Sequence, residues 1–315
     1  MKTVFNKTPV LVTGATGFIG SHLVKALLKK NARVIIITRP ASSLWRLKKI
    51  INQVQILKAD LTQRRLLHQL LRETNPKMVF HLAANIDHSR SIRLIRDTLR
   101  DNILGSLNLI EWFLAHPPHV FINFGTCEEY GDSIMPFDEN MREKPVSPYS
   151  VTKTAITHYC GMFYRIHKFP VVTVRPFLTY GPFQTSSSLI PYCIRQALKS
   201  LPINVTKGEQ TREFNYISDM VEGILLAATT KKAIGEIINL GTGKEYKVKN
   251  VIKLILTLTG SHSRVNIGAL AYKPGEAMRF YCRSDKVKKL LGWKPKVTLE
   301  QGLKKTIEWQ KHYFL

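Results

Sequence analysis

The sequence predicts an α/β protein: a Rossmann-type, doubly wound parallel sheet with a smaller, discontinuous C-terminal α/β domain. Three observations support this fold class. Short β-rich runs alternate with helical runs up to about residue 177, a glycine-rich turn follows the first strand, and the pattern becomes irregular from about residue 178. Strands that alternate with helices indicate βαβ units and a parallel sheet. Right-handed crossovers then place helices on both faces of that sheet.

The predicted strands are short apolar runs, and Gly, Pro or Asn ends many of them. They are "PVLVTG", "ARVIIITRP", "VQILKADL", "KMVFHLAAN", "HVFINFGT", "PVVTVRPF" and, later, "GEIINLGTG". The intervening segments carry apolar residues at helical spacing. They are "FIGSHLVKALLKKN", "LLHQLLRETN", "DTLRDNILGSLNLIEWFLA", "SPYSVTKTAITHYCGMFYRIHK" and "SDMVEGILLAATT". A basic amphipathic helix is also predicted after Pro40, and "LEQGLKKTIEWQKHY" predicts a final helix.

The chain length predicts two domains. Its 315 residues exceed the size of a usual single core. The turn-rich segment "YGPFQTSSSLIP" interrupts the βαβ pattern, and "GEIINLGTG" resembles one more strand of the first sheet. We therefore expect a larger domain from 1–177 plus 216–243 and a smaller one from 178–215 plus 244–315.

Composition favours a cytoplasmic protein without a structural metal. Hydrophobic residues make up 44% and charged residues 22% of the chain, which is ordinary for a soluble protein. No apolar run approaches the roughly 20 residues of a membrane span, and the apolar stretch at the start is too short for a signal peptide. The four cysteines and ten histidines lack the spacing of metal ligands or of a disulfide framework, so buried thiols in a reducing compartment are expected.

The net charge of +25, from 47 Lys and Arg against 22 Asp and Glu, predicts attraction to polyanions. The basic residues form short clusters without a long basic block, and no nucleic-acid-binding motif accompanies them. Nucleic acid is therefore disfavoured as the main partner, and a small anionic ligand suits the sign equally well. A non-catalytic basic protein that binds RNA or a protein partner remains the alternative of another class.

The segment "GATGFIG" predicts a dinucleotide site. Gly14, Gly17 and Gly20 follow the first strand and open the first helix. Glycines there allow a tight turn and the close approach of a pyrophosphate, which the helix N-terminus stabilises. The second strand ends at Arg39 rather than at the carboxylate typical of NAD sites, which favours NADP as the cofactor, with NAD as the alternative.

The segment "SPYSVTK" places Tyr149 four residues before Lys153. On a helix these positions share a face, and a neighbouring ammonium lowers the pKa of a phenol. The pair would then serve as a proton shuttle. The spacing is not decisive by itself, because Tyr164 and Lys168 repeat it further along the chain.

Taken together, the motifs resemble the extended short-chain dehydrogenase/reductase family, whose members modify nucleotide sugars. The resemblance spans nearly the whole chain, and the motifs occur in the family's order. They are "TGATGFIG", "ADL", "HLAA", "DNILGSLNLIE", "GTCEEYG", "SPYSVTK", "RPFLTYGP", "TREFNYISDM", "INLGTG" and "LLGWKPKVTLEQGLKKTIEW".

The resemblance implies a set of cofactor-binding residues and three catalytic roles. Tyr149 matches the catalytic acid/base, Lys153 the lysine that binds the nicotinamide ribose and lowers the tyrosine pKa, and Thr126 the hydroxyl that hydrogen-bonds the reacting sugar oxygen. The later pair, Tyr164 and Lys168, is expected to be surface or interface residues. Besides Arg39, Tyr149 and Lys153, the implied cofactor-binding residues are Gly14, Thr16, Gly17, Phe18, Ile19, Gly20, Asp60, Leu61, Leu82, Ala83, Ala84 and Asn102.

Glu128 is a further candidate catalytic residue. Family 4,6-dehydratases carry a carboxylate two residues after the catalytic threonine, and it removes a proton beside a transient 4-keto group. Sugar-nucleotide decarboxylases also have a Glu there. Cys127 replaces the Asp of the Asp-Glu dehydratase pair, which disfavours that enzyme. The alternative is that Glu128 binds a hydroxyl or a backbone amide, as buried carboxylates often do.

Two positions concern the substrate diphosphate. Leu178 stands where family members have an Asn that helps to hold it, and leucine cannot donate a hydrogen bond. Arg212, in "QTREF", matches a family arginine that faces the diphosphate, and a guanidinium suits that role. The helices in "DNILGSLNLIEWFLA" and "TKTAITHYCGMFYRIH" resemble the pair through which family members form a homodimer with a four-helix bundle. Exposed Trp or Phe on those helices would favour the dimer.

The resemblance implies an NAD(P)-dependent enzyme that acts at C4 of a nucleoside-diphosphate sugar. Three reactions share this machinery. We rank 4-ketoreduction and 4-epimerisation jointly first, because the chain is short and Arg39 favours NADPH. The third reaction, 4,6-dehydration with Glu128 as the base, is the alternative.

Overall fold

The computed structural model describes residues 2–272 and 277–314. The strands within these ranges are numbered along the chain. They are β1 Pro9–Thr13, β2 Arg33–Thr38, β3 Gln55–Lys58, β4 Met78–His81, β5 Val120–Phe124, β6 Val171–Pro176, β7 Thr179–Tyr180, β8 Ile203–Val205, β9 Thr211–Glu213, β10 Asn215–Tyr216, β11 Ile237–Leu240, β12 Glu245–Lys247 and β13 Val265–Ile267.

Seven of these strands form one parallel sheet in the order β11-β6-β5-β4-β1-β2-β3. The predicted Rossmann-type fold class is therefore confirmed. The strand order reverses between β1 and β4, and in open α/β sheets ligands bind outside the carboxyl ends of the strands at that point.

The helices also follow the predicted alternation. They are α1 Lys2–Phe5, α2 Phe18–Leu28, α3 Arg64–Thr74, α4 Ile95–Thr98, α5 Gly105–Ala115, α6 Pro148–His167, α7 Leu189–Leu198, α8 Ile217–Thr229, α9 Val248–Thr259, α10 Asp285–Leu291 and α11 Leu299–Phe314. Short 3₁₀ helices cover Trp45–Gln53, Ile92–Leu94, Cys127–Tyr130 and Lys231–Ala233.

Two predicted helices differ in the structure. The basic helix expected after Pro40 is the 3₁₀ helix Trp45–Gln53. The helix expected as one element from residue 97 begins earlier, at α4, and continues through a π-helical stretch, Leu99–Leu104, before α5. Hydrophobic spacing does not reveal a local change of helical pitch. Neither the 3₁₀ helix nor the π-helical stretch could therefore be predicted from the sequence pattern.

The sheet is buried on both faces, as the apolar strands require. Alternate residues of β1 point to opposite sides, so Val10 and Val12 join one hydrophobic cluster and Leu11 joins the other. The first cluster also contains residues of α7, α9 and α11. The C-terminal helices thus pack against the same core as α2 and α8.

The remaining strands form three small pairs outside the large sheet. β7 pairs with β10 and β8 with β13 in parallel, whereas β9 and β12 are antiparallel. This matches a mixed α/β composition for the expected smaller domain. The exact partition, 1–177 plus 216–243 against 178–215 plus 244–315, stays a prediction. Among the described residues, no helix is long and apolar enough to cross a membrane.

Candidate active site

Three cavities lie along the carboxyl ends of the strands. The glycine-loop cavity, about 500 Å³, is bordered by Gly14, Thr38 and Ala83, at the ends of β1, β2 and β4. The Glu128 cavity, about 220 Å³, follows β5. The Phe214 cavity, about 370 Å³, shares Leu178 and Arg212 with the Glu128 cavity. The site therefore begins at the topological switch point and extends toward the C-terminal part of the chain.

The turn between β1 and α2 requires glycine at two positions. Gly14 has φ +67°, and a Cβ there would lie 2.7 Å from the backbone nitrogen of Ala83. A Cβ at Gly20 would lie 2.2 Å from the carbonyl oxygen of Gly14. Because Gly17 precedes α2, no side chain caps that helix, and its first backbone N–H groups are available to an anion.

Arg39 lies at the edge of the glycine-loop cavity, as predicted, but it is paired. Its Nε is 3.1 Å from Oδ2 of Asp60 and its Nη2 is 3.0 Å from Oδ2 of Asp101. Asp60 also accepts hydrogen bonds from the backbone N–H and the hydroxyl of Thr62. Asp101 also accepts from Nε of Arg100 at 2.8 Å. The guanidinium that the sequence suggested for a 2′-phosphate is therefore engaged in ion pairs.

Most of the predicted cofactor-binding residues border the glycine-loop cavity. They are Gly14, Thr16, Gly17, Arg39, Asp60, Leu61, Leu82, Ala83 and Ala84. Phe18, Ile19 and Gly20 lie in the first turn of α2 and do not border it. The ring of Phe18 packs against His22 and Ile19 packs against the core, so the predicted cofactor contact of these residues would be made by their backbone N–H groups.

The cofactor contact expected for Asn102 stays a prediction. Asn102 is buried and does not border the cavity. Its Oδ1 accepts from the backbone N–H of Asn85 at 2.6 Å, and its Nδ2 donates to the carbonyl oxygen of Asn85 and to the hydroxyl of Thr152. Asn102 thus joins the segment after β4 to α6, because the π-helical stretch points it inward.

Thr126 and Glu128 are positioned by a short 3₁₀ helix after β5. The Thr126 hydroxyl accepts from the N–H of Glu128, while the N–H of Thr126 donates to Oε1 of Glu129 at 2.8 Å. This reciprocal cap fixes the turn. Thr126 and Cys127 are nearly buried, and Glu128 borders the Glu128 cavity.

A buried ion pair connects this 3₁₀ helix to β6. Oε2 of Glu129 accepts from Nε and Nη2 of Arg175 at 2.9 and 2.7 Å, and both side chains are fully buried. Arg175 also donates to Glu143 at 2.7 Å. The sequence analysis did not identify Glu129 or Arg175, although both stand in quoted motifs, "GTCEEYG" and "RPFLTYGP".

Tyr149 and Lys153 lie in the first turns of α6 and are both buried. Ser147 caps this helix and Pro148 is its first residue, which fixes its start. The ring of Tyr149 packs edge to face against His88, whose Nδ1 lies 2.8 Å from Oε1 of Glu128. Both Thr126 and Glu128 are close enough to the phenol to act on its pKa. Tyr149, Thr126 and Glu128 are therefore brought together, and Lys153 lies one turn further along α6. Of these four residues, Glu128 borders a cavity, whereas Tyr149, Thr126 and Lys153 lie behind the cavity walls.

The pKa of Tyr149 is raised, whereas the sequence analysis expected Lys153 to lower it. Burial raises the pKa most, the charge of Glu128 raises it further, and the hydrogen bond with Thr126 lowers it. Burial also lowers the pKa of Lys153 to about 8. Desolvation disfavours the charged form of each group, and spacing along a helix does not report burial. The expected lowering of the Tyr149 pKa is therefore wrong for the protein without bound cofactor.

The repeated pair further along α6 is separate from the cavities. Lys168 ends the helix in a left-handed conformation and is exposed. Tyr164 is partly buried and packs against Gly235, where a Cβ would lie 2.2 Å from its ring. Neither residue borders one of the three cavities.

Leu178 and Arg212 lie where the Glu128 and Phe214 cavities meet. Leu178 is 40% exposed. Nη1 of Arg212 donates to the carbonyl oxygens of Thr211 and Ala277 at 2.7 and 2.8 Å, and its guanidinium lies 6.0 Å from the centre of the Phe280 ring. These contacts hold Arg212 at the junction.

Several cavity residues were not identified from the sequence. The Glu128 cavity is also bordered by His88, Arg90 and Phe280, and the glycine-loop cavity by Asn85 and Asp101. His88 and Arg90 follow β4 at the carboxyl edge of the sheet, so the rule that ligands bind at that edge could have identified them. Within residues 2–272 and 277–314, no cluster of His, Cys, Asp or Glu could hold a metal ion. All four cysteines are free and buried.

The fold and the glycine-loop cavity define a dinucleotide-binding α/β protein. The model of the NAD-dependent epimerase/dehydratase family matches residues 10–241. A dTDP-D-glucose 4,6-dehydratase of Bos taurus is 33% identical over 321 residues, which cover 97% of this chain and 89% of the relative. The chain therefore belongs to the NAD-dependent epimerase/dehydratase family, as its resemblance to extended short-chain dehydrogenases/reductases predicted.

Solved structures agree. The UDP-glucose 4-epimerase of Thermotoga maritima, with UDP-glucose, is similar with a TM-score of 0.91 and 28% identity over 98% of this chain and all of that one. The UDP-glucuronic acid 4-epimerase of Bacillus cereus, with UDP-glucuronic acid and NAD, has a TM-score of 0.88 and 30% identity over 98% of this chain and all of that one. Relatives of this chain thus include both dehydratases and 4-epimerases.

Proposed function

We propose that this protein is an NAD-dependent 4-epimerase of a nucleoside-diphosphate sugar. The observation that carries the proposal is the cluster of Tyr149, Thr126 and Glu128 beside the Glu128 cavity. α6, which carries Tyr149, is tied through Thr152 and Asn102 to the glycine-loop cavity. A sugar in the first cavity would then meet the nicotinamide of a dinucleotide in the second.

The glycine-loop cavity fits a dinucleotide. Its volume is about 500 Å³, and side chains at Gly14 or Gly20 would collide with backbone atoms. Bound NAD would accept a hydride from the sugar carbon and later return it. We propose NAD rather than NADP, because the B. cereus neighbour holds NAD and because Arg39 is engaged in ion pairs with Asp60 and Asp101. The sequence-based preference for NADP is not supported.

In the proposed reaction Tyr149 moves the proton of the sugar C4 hydroxyl. As the C4 hydrogen leaves with its electron pair, the phenolate of Tyr149 takes the hydroxyl proton, and a 4-keto sugar results. Thr126 would donate a hydrogen bond to the same oxygen and orient it. Lys153 would stabilise the phenolate when it is charged. Once the 4-keto sugar presents its opposite face, Tyr149 would return the proton to the C4 oxygen and the epimer would form.

Cys127 favours epimerisation over dehydration. It borders the Glu128 cavity where an Asp-Glu dehydratase would have a carboxylic acid. Burial and the charge of Glu128 raise the pKa of its thiol well above the ordinary value, so the thiol is a poor proton donor. Ketoreduction would consume an external reduced dinucleotide, and the paired Arg39 gives no support for NADPH.

Dehydration is the second candidate because of Glu128. Its carboxylate borders the same cavity as the proposed sugar site and acts on the pKa of Tyr149. A base at that place could remove a proton beside a 4-keto group. We propose this role for Glu128 only if the product has lost water.

Arg212 is proposed to bind the substrate diphosphate, and the Phe214 cavity to hold the nucleoside. Arg212 borders both cavities, so a diphosphate between sugar and nucleoside would pass it. The Phe214 cavity offers apolar surface from Phe214 and Ile190 with amide groups from Gln184 and Gln210, which suits a base. Leu178 would contact the substrate without a hydrogen bond.

We further propose a homodimer through α4, the π-helical stretch and α6. Ile95, Leu99, Val151, Tyr159 and Ile166 are large apolar residues with exposures from 39 to 65%. The three on α6 lie at helical spacing along one face, and α4 packs against α6. The Trp and Phe residues near the end of α5 are buried instead. Exposed Trp or Phe on α5, which would have favoured the dimer, is therefore not observed. The exposed apolar residues of α4, the π-helical stretch and α6 support the dimer instead.

The mass of the product tests the proposal. The purified protein is denatured to identify any released dinucleotide, and it is then offered UDP-, dTDP- and GDP-sugars. We expect NAD and an isomer of unchanged mass. Loss of one water would establish dehydration, and a gain of two hydrogens with consumption of NADPH would establish ketoreduction. Absence of all three, together with no thermal stabilisation by NAD or NADP, would contradict the proposal.

Tyr149→Phe tests the proposed proton shuttle. The phenyl ring keeps the packing but has no proton to exchange, so we expect turnover to fall by about 10²-fold or more. NAD should still raise the unfolding temperature as in the wild type. Tyr164→Phe, on the same helix but away from the cavities, is the matched control and should keep full activity. Normal turnover of Tyr149→Phe would show that another group moves the proton.

A further inference from the structure

His88 touches Tyr149, the proposed proton shuttle, and Glu128, whose carboxylate borders the proposed sugar cavity. It belongs to the segment after β4 and borders the Glu128 cavity. Its Nδ1 is 2.8 Å from Oε1 of Glu128. Its ring meets the ring of Tyr149 edge to face, with centroids 5.0 Å apart and an angle of 80°. His88, Glu128 and Tyr149 come from three separate elements, so only the folded chain brings them together.

The contact with Glu128 has a defined direction. An ionised carboxylate can only accept a hydrogen bond, so the hydrogen lies on Nδ1 of His88. A neutral ring with its hydrogen on Nδ1 and a protonated ring both satisfy this condition. Glu128 is partly exposed, and a glutamate side chain in that setting has many rotamers. The bond from His88 selects one of them and fixes one carboxylate oxygen.

The segment that carries His88 is itself anchored to α6. The side chain of Asn102 accepts from the N–H of Asn85 and donates to its carbonyl oxygen. The same side chain donates to the hydroxyl of Thr152 at 2.9 Å, and Thr152 donates to the carbonyl oxygen of Tyr149 at 2.8 Å. The backbone just before His88 is thus held at a fixed place relative to the helix turn of Tyr149.

The charge of Glu128 gives this contact a chemical consequence. A carboxylate near a phenol disfavours phenolate, and Glu128 raises the pKa of Tyr149 accordingly. An N–H donor bound to the carboxylate offsets part of that negative potential. Loss of the donor would therefore leave Glu128 both less well oriented and more repulsive to the phenolate.

We propose that His88 is a positioning residue: it holds Glu128 by a hydrogen bond and packs edge-on against Tyr149, so that both side chains meet the sugar in a fixed arrangement. This inference rests on the proposed function. It adds a residue that the proposed reaction does not itself require.

Two substitutions separate the hydrogen bond from the packing. His88→Phe keeps a ring against Tyr149 but removes the donor, whereas His88→Asn can place an amide N–H near the position of Nδ1. The readout is a single turnover, in which reduction of NAD bound to the full-length protein is followed by absorbance after addition of the active nucleotide sugar. Steady-state kcat and KM and the NAD-induced thermal shift are measured in parallel.

We expect His88→Phe to lower kcat between about tenfold and about a hundredfold, because misplaced catalytic groups cost rate rather than affinity. KM should stay within about twofold of the wild type, and the NAD-induced thermal shift should be unchanged. His88→Asn should recover most of the lost rate. His158→Phe is the matched control, since His158 forms a His–Glu pair with Glu143 outside the three cavities; it should behave as the wild type.

The other outcomes overturn the inference in distinguishable ways. If the wild type is active and His88→Phe reduces NAD at the same rate, His88 does not position the site. If both His88 variants lose rate together with thermal stability and Asn gives no recovery, the residue has only a structural role. If the wild type itself converts no nucleotide sugar, the proposed function fails, and the role of His88 in it fails as well.

Discussion

Burial determines the protonation of the two residues that first indicated a proton shuttle. Tyr149 and Lys153 are both buried, and desolvation raises the pKa of the phenol and lowers that of the amine. Both groups therefore favour their neutral forms more than free side chains do. The positive charge of a bound nicotinamide would shift Tyr149 back toward phenolate, which links proton transfer to the presence of the oxidised cofactor.

The lowered pKa of Lys153 predicts a stability change with pH. Its folded-state pKa is about 8, against an ordinary value of 10.5, so between these values the unfolded state binds more protons. Stability contributed by this group is full above about pH 10.5 and is lost as the pH falls toward about 8. The difference amounts to roughly 3 kcal/mol at full burial.

Chemical denaturation of the cofactor-free protein at several pH values measures this effect. The free energy of unfolding of the wild type, minus that of Lys153→Met, should rise between about pH 8 and pH 10. The subtraction removes the opposing titration of buried tyrosines, whose raised pKa values destabilise the fold at high pH. A difference that stays flat over this range would show that Lys153 keeps its ordinary pKa.

At the scale of elements, a π-helical stretch places residues that the sequence pattern assigned to a plain helix. Leu99–Leu104 is π-helical, and it turns Asp101 and Asn102 inward. Asp101 then pairs with Arg39, and Asn102 binds Asn85. π-Turns inside helices are frequent at functional sites. Here the stretch connects the glycine-loop cavity to α6.

The glycine turn gives a prediction for the element β1–α2. Gly20→Ala would place a Cβ 2.2 Å from the carbonyl oxygen of Gly14, a backbone atom that cannot move without changing the loop. We expect a lower unfolding temperature and loss of most of the NAD-induced thermal shift, measured by differential scanning fluorimetry.

Gly161→Ala is the matched control because it is also a glycine-to-alanine change inside a helix. Its new Cβ would meet only the end of the flexible Arg165 side chain, at 3.2 Å. Alanine should therefore stabilise α6 by about 0.5–1 kcal/mol and leave the NAD shift intact. Equal behaviour of Gly20→Ala and Gly161→Ala would contradict the steric argument.

At the scale of the whole molecule, the proposed dimer is supported by the apolar surface of α4 and α6. Ile95→Glu and Leu99→Glu place a charge within this surface, so we expect each to weaken self-association by about tenfold or more. Ile267→Glu, at a residue 60% exposed on β13, is the control. Sedimentation should give twice the 36.0 kDa chain mass for the wild type and the control. A monomeric wild type would contradict the dimer.

The sequence alone determined the fold class, because strand and helix periodicities and the glycine turn act locally and recur in order. It also determined the family, through motifs spread over the whole chain. The motifs predict Thr126, Glu128 and Tyr149 as site residues, and the fold brings these three side chains close together. Motif identity carries this information because these positions lie on elements whose ends meet at one sheet edge.

Only the tertiary structure decided the contacts and charges within the site. Arg39 is paired with two carboxylates that lie 21 and 62 residues away along the chain (60 − 39 and 101 − 39). His88 reaches Glu128 across 40 residues (128 − 88), and burial reverses the expected pKa shift of Tyr149. Pairing between distant residues and desolvation depend on how elements pack, and neither leaves a periodic signal in the sequence.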